Sequence, residues 1–174
     1  VGVPILTNQL ITGTLQFRIG LTNSGFEASA GTISNLVVSI GDDDFLMVVS
    51  AGTTLVAENF VPANGAIDPF EQVTVSFALQ NLGNVPTTNL VATLVPGGGV
   101  SSPSPAQRTY GALQVSGGNV VTQSFSFTVV TNRTLQATFQ LQDGPTDLGT
   151  LVFNLTLGNT RTYTNGALLN VPGS

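Results

Sequence analysis

Acids that fall close together are the first residues in this chain with a chemistry to offer. Asp42-Asp43-Asp44 gathers three of the nine acids at one point. A hard cation such as Ca2+ takes several oxygen ligands held near one another, so the triplet is a candidate metal site. Consecutive residues of an extended chain point apart, however, and the alternating acid spacing of an EF-hand loop is missing. A solvated acidic turn is the competing reading. Asp68 with Glu71 forms a second, partial cation candidate, and Asp143 with Asp147 has the two-carboxylate composition used in acid–base catalysis. That last pair flanks Gly144-Pro145 in a chain with no Trp and only two Tyr, so it lacks an aromatic platform. Catalysis is not expected there.

The nucleophile inventory is equally short. Ser and Thr are abundant, but without His or Lys no conventional base is present to activate a hydroxyl, and without Cys there is no thiolate. The same gaps remove most transition-metal ligands. Gly97-Gly98-Gly99 lacks the following helix and Lys of a phosphate cradle and is expected to be a flexible inter-strand loop. Asn132-Arg133-Thr134 and Asn154-Leu155-Thr156 match the N-glycosylation sequon, a match that a Thr- and Asn-rich chain also produces by chance. The sequence argues against an enzyme, and it implies no cofactor beyond the candidate Ca2+.

Charged residues make up 7% of the 174 residues, against roughly 25% in ordinary soluble domains. Uncharged Thr, Ser, Asn and Gln must therefore cover the outside. Such a surface fits packing against copies of itself, or exposure outside the cell. A net charge of −5 with only Arg18, Arg108, Arg133 and Arg161 as cations cannot form a basic patch, which disfavours nucleic acid as a partner. No run of eighteen apolar residues occurs, so membrane insertion through a helix is not expected. The absence of Cys and Lys excludes disulfides and Lys–Asn isopeptide crosslinks. The chain begins at Val1, which suits a processed, secreted protein.

The elements that must position these residues are strands. Alternation of apolar and polar side chains marks half-buried antiparallel strands. It places Val73, Val75, Phe77 and Leu79 on one face of 71–80, and Leu135, Ala137, Phe139 and Leu141 on one face of 133–142. Leu151, Phe153, Leu155 and Leu157 repeat the plan, as do Leu15, Phe17, Ile19 and Leu21. Asn154 then falls on the polar side. Further strands are expected at 32–40, 45–49, 54–58, 89–95 and 120–129, with Gly-, Asn- and Pro-rich turns between them. No stretch keeps a 3.6-residue repeat. The expected class is all-β: an immunoglobulin-like antiparallel sandwich over 63–160, preceded by a β region over 12–62 with the boundary at Val61-Pro62-Ala63-Asn64-Gly65. Fewer than about 70 residues make a marginal core. The first part should therefore dock on the second, extend its sheets or be completed by another chain. Residues 1–11 and 161–174 stand apart as extended terminal segments whose apolar positions are Ile5, Leu6, Leu10 and Ile11, then Leu168, Leu169 and Val171.

Residues 63–158 resemble the immunoglobulin-like, CARDB-like modules of secreted bacterial multidomain proteins. Asn64-Gly65-Ala66-Ile67-Asp68-Pro69-Phe70-Glu71 is similar to the D-P-G-E opening of that family, with Phe70 where Gly is usual. Val73-Thr74-Val75-Ser76-Phe77-Ala78-Leu79-Gln80-Asn81-Leu82-Gly83 is similar to its V-x-V-x-F-x-L-x-N-x-G strand. Thr109-Tyr110-Gly111-Ala112-Leu113 and Phe139-Gln140-Leu141-Gln142-Asp143-Gly144 resemble later landmarks. The resemblance implies a sandwich fold, a strand-entry turn at Asp68 to Glu71, and a non-catalytic spacer or adhesion role in a secreted enzyme.

The leading expectation is a structural subunit of an extracellular filament, whose partners are copies of itself. An extended terminal segment, 1–11 first and the C-terminal tail second, would complete a neighbour's sheet by strand donation. An ordinary first strand is the competing reading of 1–11. The spacer module and a virion coat or decoration protein are the rival functions.

Overall fold

The computed structural model describes residues 11–20 and 35–158. The described residues form antiparallel sheets with no α-helix, and one 3-10 turn lies at Val115–Gly117. β1 (Leu15–Gly20) and β2 (Asn35–Ile40) pair in a two-stranded ribbon. β3 (Val48–Glu58), β4 (Gln72–Asn81), β5 (Leu90–Val95), β6 (Val100–Ser104), β7 (Gln107–Gly111), β8 (Val120–Val129), β9 (Leu135–Asp143) and β10 (Thr146–Leu155) make two four-stranded sheets. One sheet has the order β3-β4-β8-β6 and the other β10-β9-β5-β7. The chain is an all-β sandwich, with β4 beside β8 in one layer and β5 beside β9 in the other.

Alternation builds the core. β4 turns Val73, Val75, Phe77, Leu79 and Asn81 inward, while β9 turns in Leu135, Ala137, Phe139 and Leu141. Phe77, Phe125, Phe139 and Phe153 meet edge to face at the centre, with centroids 4.8 Å apart for Phe77–Phe139 and 5.0 Å for Phe125–Phe139. Offset edge contacts let each ring's positive rim meet a neighbour's negative face.

Four elements differ from the sequence expectation. The runs at 45–49 and 54–58 do not form two strands; Val48–Glu58 is one strand, with register shifts between Ser50 and Gly52 and between Leu55 and Ala57. Each bulge breaks the period of two and hides the continuity. β6 and β7 were not legible, because β6 contains Pro103 and β7 is mostly polar. Both lie at sheet edges, where Pro and polar side chains are tolerated. Finally, Gly97-Gly98-Gly99 is not a loose loop. Gly97 and Val100 exchange two main-chain hydrogen bonds, and the carbonyls of Gly98 and Gly99 accept from Gln136 and Val130.

β3 precedes the Val61–Gly65 stretch, yet it pairs along β4 from Val48 opposite Asn81 to Glu58 opposite Val73. β3 thus adds a strand to the sandwich sheet, while β1 and β2 form a sheet of their own. Between ribbon and sandwich, residues 43–47 are fastened to the turn after β4. Phe45 N donates to Asn84 Oδ1 at 2.7 Å, Asn84 Nδ2 donates to the Asp43 carbonyl, and Leu82 N donates to the Met47 carbonyl. A Cβ at Gly83 would overlap the backbone of Phe45, Leu46 and Met47, so Gly permits the approach.

Candidate functional site

The two flanks of the sandwich are unequal. On one flank the chain steps directly from β6 to β7, crossing between sheets. Gln123 Nε2 donates to the Thr109 carbonyl at 2.9 Å and ties β8 to β7 there. On the other flank the edge strands are β3 and β10, each hydrogen-bonded, among the described residues, to a neighbour strand on one side only. Between them lies an open groove of about 450 Å3.

Its lining comes from both sheets. Thr53 and Leu55 arrive on β3, Val75 on β4, and Leu155 with Leu157 at the end of β10. Ile67 lies at the end of the groove, where it bridges in parallel to Leu157 and its carbonyl accepts from Gly158 N at 2.7 Å. Gly65, Ala66, Asn154, Thr156 and Gly158 complete the lining, and no lining residue carries a formal charge. Behind Gly65, whose N–H donates to Glu58 Oε1 at 2.8 Å, the second oxygen of Glu58 is buried without a hydrogen-bond partner. Natural interiors leave few such acceptors unanswered.

The loop that leads into β4 is held by Glu71. Its carboxylate is fully buried and accepts from Phe60 N at 2.9 Å and Asp68 N at 3.1 Å. Asp68 in turn accepts from Asn64 Nδ2 at 2.8 Å. The pair therefore organises the entry to β4, with both carboxylates engaged in the loop's own hydrogen bonds. Phe70 sits in that turn at φ 67°, a left-handed conformation that a bulky side chain rarely adopts, and its ring is 67% exposed. The position is one where glycine would be at ease.

The ribbon presents the second unusual surface. Residues paired across an antiparallel ladder share a face, so Leu15 with Ile40, Phe17 with Val38 and Ile19 with Leu36 make one wholly apolar face. Gln16, Arg18, Gly20, Asn35, Val37 and Ser39 lie on the other, a mixed face on which Val37 is exposed. Leu15 and Leu36 are each 55% exposed.

The remaining candidates divide as follows. The carboxylate oxygens of Asp42, Asp43 and Asp44 come within 4.8 Å of one another. Asp42 is already engaged by the chain itself: Oδ2 accepts from the N–H groups of Thr12 and Gly13, and Oδ1 from Asp44 N at 3.1 Å. Those donors hold its carboxyl below the ordinary value of 3.8, while partial desolvation and the neighbouring Asp42 and Asp43 charges raise that of Asp44. Asp143 accepts from Thr88 N, Thr88 Oγ1 and Asn89 N, and Asp147 accepts from Gly149 N, so each braces a turn. Asn132 is exposed between β8 and β9; Asn154 is exposed on β10 beside the groove and accepts from Gln136 Nε2. Ile11 is exposed and outside any strand. Ile5, Leu6, Leu10, Leu168, Leu169 and Val171 lie outside the described residues.

Sequence reasoning missed Asn81. It is fully buried, Oδ1 accepts from Gly83 N at 2.9 Å and Met47 N at 3.3 Å, and Nδ2 donates to the Val85 carbonyl at 2.7 Å. The Asn81-Leu82-Gly83 spacing was visible, but its partner strand segment was not. Among the described residues no helix is long and apolar enough to cross a membrane. No family model matches the chain, and no curated protein matches it.

Proposed function

We propose that this chain is a structural subunit that polymerises non-covalently, head to tail, into an extracellular filament by β-strand complementation. The observation that carries this reading is the uncharged groove between the edges of β3 and β10. An extended segment entering such a cleft gains main-chain hydrogen bonds from an edge and buries alternate side chains in the floor. β3 offers little of the Lys and Pro that usually blunt an exposed edge; its sequence VVSAGTTLVAE holds a single charge, at its last residue. Two bulges interrupt its pairing with β4. The poverty in charge over the whole chain and the absence of crosslinking residues support assembly through strands and apolar contact. Copies joined by one repeated head-to-tail contact grow into an open fibre whenever the rotation between them does not close a ring.

Thr53 is exposed and lines the groove, so Thr53→Arg fills it with a charged side chain and leaves the buried core untouched. Sedimentation of the unaltered chain should show species that grow with concentration, while T53R with an unchanged circular dichroism spectrum stays monomeric. An unaltered chain that stays monomeric at all concentrations overturns the proposal in favour of a spacer module.

A further inference from the structure

We infer that Asn64 is a site of covalent self-modification. The Gly65 main-chain nitrogen attacks the Asn64 side-chain amide and closes a succinimide, which water opens to aspartate or isoaspartate. Asn64-Gly65 lies in the loop between β3 and β4, and both residues are exposed, so water reaches the product ring. The attack needs a following residue that leaves its nitrogen uncrowded. Gly65 has no Cβ, adopts φ +75°, and has no other atom within 4 Å of the place a Cβ would take.

The loop supplies the other groups that this chemistry uses. Gly65 N donates to Glu58 Oε1 at 2.8 Å, within the reach of a general base. Glu58 Oε2 has no hydrogen-bond partner among the described residues, so no donor competes for it. Asn64 Oδ1 accepts from Ala66 N at 2.9 Å, the oxygen on which negative charge collects as nitrogen adds to Cγ. The same bond closes an Asx turn, which folds the Asn64 side chain back along its own main chain. Asn64 Nδ2 donates to Asp68 Oδ2 at 2.8 Å, and this fixes which end of the amide is the leaving group.

The steps balance with water as the one co-reactant. The bond from Gly65 N to Asn64 Cγ forms as the Gly65 proton passes to Glu58. The Cγ–Nδ2 bond then breaks with its electron pair on nitrogen, which recovers that proton and departs as ammonia. Water added at Cγ leaves aspartate in place of Asn64; water added at the main-chain carbonyl leaves isoaspartate, with the chain routed through the side chain. Either product adds one negative charge to a chain of net charge −5 and removes the donor that Asp68 accepts from. The change accumulates with the age of each molecule and loosens the loop that leads into β4.

The full chain is held at neutral pH, and the peptide containing Asn64 is followed by chromatography and mass spectrometry, which separate the amide, aspartate and isoaspartate forms. Conversion should be faster in the folded chain than in the same chain unfolded in urea, where the sequence is kept and only the loop geometry is lost. Glu58→Gln, with an unchanged circular dichroism spectrum, should slow it about a hundredfold, the lower end of what a positioned base contributes. A folded rate equal to or below the unfolded one overturns the inference, because the loop then protects Asn64. A rate unchanged in folded E58Q overturns it as well. The urea comparison needs no variant and decides alone if E58Q does not fold.

Discussion

At the residue scale, several acids among the described residues act as braces for main-chain N–H groups. Glu71 fixes the entry to β4, Asp143 the turn before β5, and Asp42 the approach to the ribbon. The Asp68–Glu71 turn was legible in the sequence through its resemblance to a strand-opening pattern. The Asp42 brace was not, because its donors Thr12 and Gly13 lie some 30 positions away. A pH dependence follows from it. Accepting N–H bonds stabilises the carboxylate form, so Asp42 has a lower pKa folded than unfolded. Its contribution is therefore complete above the unfolded value near 3.8 and is lost as pH falls through the lower folded value. NMR titration should show the Thr12 and Gly13 amide resonances moving with a midpoint below 3.8, while the Asp44 carboxyl titrates above 3.8. Asp42→Asn should flatten the amide response.

At the element scale, strands with a clean period of two were legible and strands that break it were not. β4, β8, β9 and β10 carry their inward residues in register, and alternation alone marks them. β3 escaped because two bulges interrupt it, and these also shape the edge from which the groove is built. β6 and β7 escaped because edge strands need few apolar residues. The attachment of residues 43–47 rests on a backbone-to-backbone approach at Gly83, where an added methyl would overlap Phe45 and Met47. Backbone atoms cannot rotate away, so overpacking there should cost about 1–3 kcal/mol. Urea unfolding of Gly83→Ala is expected to show that loss as a lower midpoint with an unchanged slope. Local release of the segment should also speed hydrogen exchange at Leu82 and Asn84, whose N–H groups it accepts from.

At the scale of the whole molecule, the sandwich class was legible and the inequality of its two flanks was not. Which strands stand at the edges depends on the crossing from β6 to β7, and neither strand announces itself in the sequence. The apolar side of the ribbon was half legible in Leu15, Phe17 and Ile19; its pairing with Leu36, Val38 and Ile40 came only from the register. The edges of β3 and β10 and the uncharged groove between them are the features on which the proposed strand complementation rests. A polar, head-to-tail polymer has a distinctive response to a one-sided block. On the proposed head-to-tail contact, a Thr53→Arg chain keeps its donor segment and loses its groove, so it can join the end of a growing chain and cannot receive the next copy. The most direct test is sedimentation velocity of the unaltered protein mixed with a tenfold smaller amount of T53R. The account predicts polymers markedly shorter than those of the unaltered protein alone, because each T53R chain ends one. A length distribution unchanged by T53R would contradict it.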